Sequence, residues 1–217
     1  MSAIAAVVFD LDGVLVQSEE IWDEARRELA AAHGVPWPEG ATRAMMGMSS
    51  IEWSRYLHDE ARVQLDPEEI SAEVVRRVEE RYRHSPPWID GALEAVRRIG
   101  ERWPLGLASS SNREIIDLVL EQGGLRELFR AAVSSEEVRA GKPAPDVYLD
   151  AARRLEADPA TCAAVEDSTN GLLSARAAGM RVIAIPNSAY PPEPEALRTA
   201  DVALDSIAEL TPQVVAG

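Results

Sequence analysis

Short apolar runs, each ending in a cluster of polar residues and most leading into an amphipathic stretch, constrain this chain more than any other feature. They occupy residues 3–9 (AIAAVVF), 104–108 (PLGLA), 130–134 (RAAVS), 161–165 (TCAAV) and 181–185 (RVIAI), with a weaker one at 200–204 (ADVAL). Runs of this length without polar alternation suit strands buried on both faces, as in a parallel sheet. Between and after them, residues 90–101, 112–122, 144–156 and 168–178 read as amphipathic helices. Gly123 and Gly124 close one of these and Gly179 another. Strands alternating with helices predict an α/β fold, a doubly wound parallel sheet.

Residues 19–84 break the alternation. They contain no convincing strand and read as helices near 19–33, 48–62 and 67–84, with a shorter segment between. Trp22, Ala25, Leu29 and Ala32 recur at helical spacing, as do Ile70, Val74, Val78 and Tyr82. The expected organisation is a core of residues 1–16 and 87–217 with a small helical cap, residues 17–86, inserted after the first strand. The chain would cross between them near Val14–Ser18 and His84–Ile89.

In open α/β sheets, ligands bind beyond the carboxyl ends of the strands, so the residues after each run carry the chemistry. Asp10, Asp12 and Gly13 follow the first. Ser109, Ser110, Ser111 and Asn112 follow the second, the third leads to Gly141-Lys142-Pro143, and Glu166, Asp167 and Ser168 follow the fourth. Four acids, several hydroxyls and one lysine are therefore expected along one edge. So many neighbouring carboxylates repel one another unless a hard divalent cation joins them, and Mg²⁺ suits a few carboxylates plus a phosphate. A carboxylate can attack phosphorus and form an acyl-phosphate if positive charge screens its approach. A second carboxylate two residues on can protonate the leaving oxygen and then activate water. Ser109 can donate to a phosphate oxygen, and the helix start near Asn112 adds anion affinity. Lys142 is the only lysine in a chain that otherwise uses arginine, which itself marks the position. Asp10 and Asp12 as mere turn residues before Gly13 is the plainer alternative.

Taken together, FDLDGVL (9–15), LASSS (107–111), GKPAPD (141–146) and VEDSTNG (165–171) resemble the four motifs of the haloacid dehalogenase-like (HAD) superfamily, in order and across essentially the whole chain. The resemblance implies a magnesium-dependent phosphatase acting through an aspartyl-phosphate. Asp10 would be the nucleophile and Asp12 the general acid/base. Ser109 and Lys142 would hold the phosphoryl group, with Ser110 beside them. Asp167 would bind Mg²⁺ together with the Asp10 carboxylate and the Asp12 backbone carbonyl, and Glu166 would support the metal directly or through water. In related caps a loop reaches into the site, so Met46, Gly47, Met48 and Ser49 are expected in the leaving-group pocket, with Trp22 either there or in the cap core. His33, His58 and His84 have no ligand spacing.

Several branches of the superfamily are disfavoured. A dehalogenase needs the first aspartate but not Asp12, and a phosphonate hydrolase would be expected to offer a cap lysine. Enzymes resembling β-phosphoglucomutase carry a histidine where Trp22 stands, and a lysine and an arginine where Met46 and Ser50 stand. With all three missing, retention of a bisphosphate is not expected here. SEEIW (18–22) is instead similar to the SExLW segment of hexose- and hexitol-phosphate phosphatases. A sugar or sugar-alcohol phosphate is the expected substrate, phosphoglycolate a further option, and a non-catalytic metabolite-binding protein the reading from another class. The expected partner is a small phosphorylated metabolite, and the expected assembly a monomer or weak dimer.

A formal net charge of -15 disfavours nucleic acid and anionic lipid as partners, and makes any phosphate site a local positive exception. Cys162 stands alone, so no internal disulfide is expected. The opening residues show no basic leader segment, and no apolar run is long enough to span a bilayer. A cytoplasmic protein is the expectation.

Overall fold

The computed structural model describes residues 3–45 and 48–217. Six parallel strands form one sheet: β1 (Ala6–Phe9), β2 (Leu105–Ser109), β3 (Phe129–Ser134), β4 (Cys162–Glu166), β5 (Arg181–Ala184) and β6 (Val202–Ala203), in the order β3-β2-β1-β4-β5-β6. Order reverses at β1, which pairs with β2 on one side and β4 on the other, the place where such sheets open a crevice. The second, third and fourth runs lie within one residue of their strands, while the first and the last exceed theirs. β1 begins at Ala6 rather than residue 3, and the weak sixth run contributes two residues.

Alternate strand residues enter opposite cores, as a pleated sheet covered on both faces requires. Val7, Phe9, Ala163, Val165 and Ile183 pack with Ile99, Ile115 and Val119. Ala6, Val8, Cys162, Ala164 and Val182 pack with Tyr148, Ala151, Leu172 and Ala175 on the other side. Each fully buried large aliphatic or aromatic side chain contributes about 1.5–3 kcal/mol relative to exposure. The helices that supply these partners are α5 (Ala92–Gly100) and α6 (Arg113–Gln122) on one face, and α7 (Asp146–Arg154) and α8 (Thr169–Ala177) on the other, in a series whose first four members precede them in the chain.

Those first four are α1 (Glu19–Ala32), α2 (Ala41–Met45), α3 (Ser50–Asp59) and α4 (Pro67–His84), all between β1 and β2. Short α9 (Pro194–Leu197) and α10 (Pro212–Ala216) complete the chain. Capping boxes start α3 (Ser49 with Glu52) and α4 (Asp66 with Glu69), and Pro67 opens the latter. α4 packs against α1 and α3 and also against α6 of the sheet layer. The two chain crossings lie side by side: Val16 bridges Trp88, the Gln17 N–H donates to the Pro87 carbonyl at 2.7 Å, and the Ile89 N–H donates to that of Leu15 at 3.0 Å.

On α1 the buried stripe is Trp22, Ala25, Arg26, Leu29 and Ala30, while Ala32 is exposed. Three of the four expected residues are in that stripe, which also includes Ala30 and a buried arginine. Among the described residues, no helix is long and apolar enough to cross a membrane.

Candidate active site

Sheet register assembles the site. Phe9 lies opposite Val165 on β4 and Leu107 on β2, so the residues that follow, Asp10 and Glu166, emerge beside each other, with Ser109 two positions past Leu107. The Asp10 N–H donates to the Val165 carbonyl at 3.0 Å, and the Leu11 N–H donates back to Asp10 Oδ1 at 2.7 Å. These bonds hold a carboxylate that is 5% exposed in one rotamer at the sheet edge.

Lys142, in the turn before α7, is equally buried. Its Nζ donates to Glu166 Oε1 at 2.6 Å, lies 3.0 Å from Asp10 Oδ1, and sits 5.1 Å from the centre of the Tyr148 ring. Burial alone would lower the ammonium's pKa, but Asp10 and Glu166 outweigh it and hold Lys142 protonated. Glu166 is fully buried. Its Oε1 also accepts from the Tyr148 hydroxyl at 2.7 Å, and its Oε2 accepts from the N–H of Asp167 at 3.0 Å and from the N–H and hydroxyl of Ser168. A Cβ on Gly171 would lie 1.9–2.0 Å from this carboxylate, so only glycine lets the first turn of α8 close over it. Gly13 has φ +77° and its Cβ would meet Asp167 Oδ2 at 1.9 Å, which explains the glycine of DLDG.

Asp12 faces the serines that follow β2. Its Oδ2 accepts from Ser111 Oγ at 2.6 Å and from Ser109 Oγ at 3.3 Å. The Ser111 side chain was not singled out in the sequence, because a serine at a helix entry usually caps backbone. Ser110 lines a cavity beside Asp12.

One oxygen each from Asp10, Glu166 and Asp167 fall within 4.8 Å of one another, and Asp167 Oδ1 is buried without a hydrogen-bond partner among the described residues. Burial, then the neighbouring Glu166, raise the Asp10 and Asp167 carboxyls well above their usual range, and Lys142 offsets this only in part. Such a donor set, all hard oxygens short of positive charge, fits a divalent cation. The three acids do not contribute alike. Glu166 already accepts five hydrogen bonds, so binding an ion directly would cost it a protein donor, whereas Asp167 has an oxygen to spare.

The helical segment closes the site from above. A narrow cavity of ≈ 50 Å³ is bounded by Asp12, Ser110, Ser111 and Asn112 below and by Glu19, Trp22, Arg26, Met45, Met48 and Trp53 above. Trp22 and Met48, expected here, do line it. Ser49 instead caps α3, its hydroxyl donating to Glu52 at 2.8 Å, and is not part of the lining. Met46 and Gly47 lie outside the described residues. The cap-loop lysine and arginine of mutase-like enzymes are missing from the sequence, yet Arg26 supplies a cation from α1. Its period-4 relation to Trp22 is the signal that could have found it. Glu136 ties the two halves together, accepting from Ser50 Oγ of α3 and from Asn112 Nδ2.

Against known proteins, a family model described as haloacid dehalogenase-like hydrolase matches residues 4–179. Hexitol phosphatase B of Escherichia coli (strain K12) is 35% identical over 99% of this chain and 97% of its own length. CbbY from Rhodobacter sphaeroides, as a variant in complex with xylulose-(1,5)bisphosphate, superposes with a TM-score of 0.88 at 27% identity, over 98% of this chain and 99% of that one. β-Phosphoglucomutase from Clostridium difficile superposes with a TM-score of 0.83 over 98% and 95% of the two chains; at 22% identity the likeness is one of fold.

Proposed function

The chain belongs to the haloacid dehalogenase-like hydrolase family, and from that premise we propose a Mg²⁺-dependent phosphatase that hydrolyses a sugar or sugar-alcohol phosphate through an aspartyl-phosphate. The carrying observation is the sole lysine, buried between Asp10 and Glu166 beside an acid cluster that lacks enough positive charge of its own. The resemblance to hexitol phosphatase B supports the substrate class.

In this reading Asp10 Oδ2 attacks phosphorus while Oδ1 stays with Lys142 and the Leu11 N–H. Lys142 holds charge on the transferring group, and Ser109 and Ser110 donate to its oxygens. Asp12 passes a proton to the departing alkoxide and then takes one from the water that cleaves the acyl-phosphate. Ser111 orients Asp12 for both steps. Mg²⁺ would be held by Asp10, the Asp12 carbonyl and Asp167, with Glu166 behind them, and when bound it screens the repulsion between nucleophile and phosphate. Glu166, gripping Lys142, acts chiefly as its positioning residue. Residues 17–86 form the cap, residues 1–16 and 87–217 the core, and the paired crossings at Val16 and Trp88 are where the cap would pivot.

Release of inorganic phosphate from para-nitrophenyl phosphate with Mg²⁺, and none with EDTA, is the expected outcome. Asp10→Asn should lower kcat by at least about 10³-fold with Tm unchanged or higher, since it removes one of several crowded buried acids. Ordinary turnover by that variant would refute the mechanism. A phosphosugar mutase is the second reading, favoured by the Arg26 cation and by the bisphosphate held in the CbbY complex. β-Glucose 1-phosphate supplied with glucose 1,6-bisphosphate separates the two: a mutase yields the isomeric monophosphate, a phosphatase yields free phosphate.

A further inference from the structure

The chamber over Asp12 contains polar groups that neither fold nor chemistry uses. Arg26 is 6% exposed and its Nε is buried with no hydrogen-bond partner among the described residues. Its guanidinium carbon lies 5.5 Å from the ring centre of Trp22 and 5.1 Å from that of Trp53, so it is held by two indoles. The acids that act on it, Glu19, Asp23 and Asp12, do so through space, and burial still pushes it down to about 10. A buried guanidinium left this way is destabilising unless something bonds to it.

Asn112 shows the same pattern from the core side. It stands at the N-cap of α6, yet its side chain makes no cap bond. Nδ2 donates to Glu136 at 2.8 Å, which fixes the amide orientation, and Oδ1 is buried with no partner among the described residues. Arg26, Asn112 and Glu19 all line the same cavity, which also borders Asp12.

We propose that Arg26, with Asn112 and Glu19, reads hydroxyl groups on the leaving group, making Arg26 the specificity-determining residue for a polyhydroxylated substrate. The inference rests on the phosphatase reading and names what that site selects. The donor and acceptor pattern decides the class. Arg26 can only donate, while Asn112 Oδ1 and an ionised Glu19 can only accept. A hydroxyl does both at once and satisfies the two sides together. An anionic leaving group would satisfy Arg26 alone and would face Glu19 and Asp12. An alkyl group would leave all three unpaired, and the indole faces of Trp22 and Trp53 suit the carbon backbone of a polyol as well as the guanidinium.

The test compares kcat/KM for sorbitol 6-phosphate, hexyl phosphate and 6-phosphogluconate, which share a carbon count and differ in hydroxyls and charge. Wild type should favour sorbitol 6-phosphate over both. Arg26→Met should cut the preference for sorbitol 6-phosphate over hexyl phosphate by about 10- to 100-fold, the worth of one or two charge-assisted hydrogen bonds. Arg26→Lys, which keeps the charge but not the fork, should give an intermediate ratio. A ratio within threefold of wild type in the Met variant overturns the assignment, and so does a wild-type preference for 6-phosphogluconate that collapses in that variant. Turnover of para-nitrophenyl phosphate by the wild type tests the phosphatase reading separately. Should that fail, calorimetry in the Asp10→Asn background decides this inference alone: tighter binding of sorbitol 6-phosphate than of hexyl phosphate, lost with Arg26→Met, upholds it, and equal binding overturns it.

Discussion

At the scale of the residue, Lys142 carries more of the site than any other side chain. It meets two carboxylates within 3.0 Å and is almost wholly enclosed, so its size is matched to its surroundings as closely as its charge. Arginine would keep the charge but is planar, longer and bound by a different geometry. Lys142→Arg should lower kcat/KM by about 10²-fold, because a displacement near 1 Å in a reacting site costs that much. The measurement is steady-state kinetics with a melting curve, and wild-type kcat/KM in that variant would show that charge alone suffices. Lysine scarcity made this residue legible in the sequence. Arg26 was illegible for the converse reason. In an arginine-rich chain one more arginine on an amphipathic helix looks solvated, and only packing against Trp22 and Trp53 shows it is not.

At the scale of the element, α8 and the β5–β6 edge lead to opposite expectations. The first turn of α8 lies against Glu166, and Gly171 is the residue that permits it. Gly171→Ala should displace that carboxylate, loosen Lys142 and lower kcat/KM by about 10²-fold or more. A variant that keeps full activity would mean the turn yields without disturbing Glu166. At the edge, Asp201 Oδ2 accepts from the Val182 N–H at 2.8 Å and from Arg176 at 2.8 Å. Partial burial opposes ionisation of Asp201, but those bonds and Arg176 prevail and hold its carboxyl below the usual carboxylate range. A folded-state pKa below the unfolded one means the stabilisation is present above about pH 4 and disappears as pH falls through the folded value. Asp201→Asn should therefore lower Tm at pH 7 and lower it by less at acidic pH. An equal deficit at both would assign the effect to packing. Both elements were foreseen as types, but β6 was read too long, because a two-residue strand is defined by pairing with β5 rather than by its own apolar content.

At the scale of the whole molecule, a buried cluster of acids makes stability and cation binding one problem. Raised Asp10 and Asp167 carboxyls show that the cation-free site is electrostatically unfavourable. Mg²⁺ binding only to the folded state should raise Tm, by an amount equivalent to about 2.7 kcal/mol at 100 times its Kd. Differential scanning calorimetry with and without MgCl₂ checks this, and Asp167→Asn should lose most of the increment; an identical shift in that variant would place the ion elsewhere. By itself the sequence determined the strand–helix alternation, the helical insertion and the four groups of polar residues at strand ends, because apolar periodicity and glycine placement are local consequences of backbone geometry. Tertiary structure alone decided which oxygens are already taken. Glu166 is occupied by five donors, Asp12 is held by Ser111, and Asp167, Asn112 and Arg26 keep unpartnered atoms. The physical reason is that hydrogen-bond satisfaction depends on neighbours brought from distant parts of the chain, across sheet register and the contact between α1, α3 and the strand ends. Residue type does not encode that.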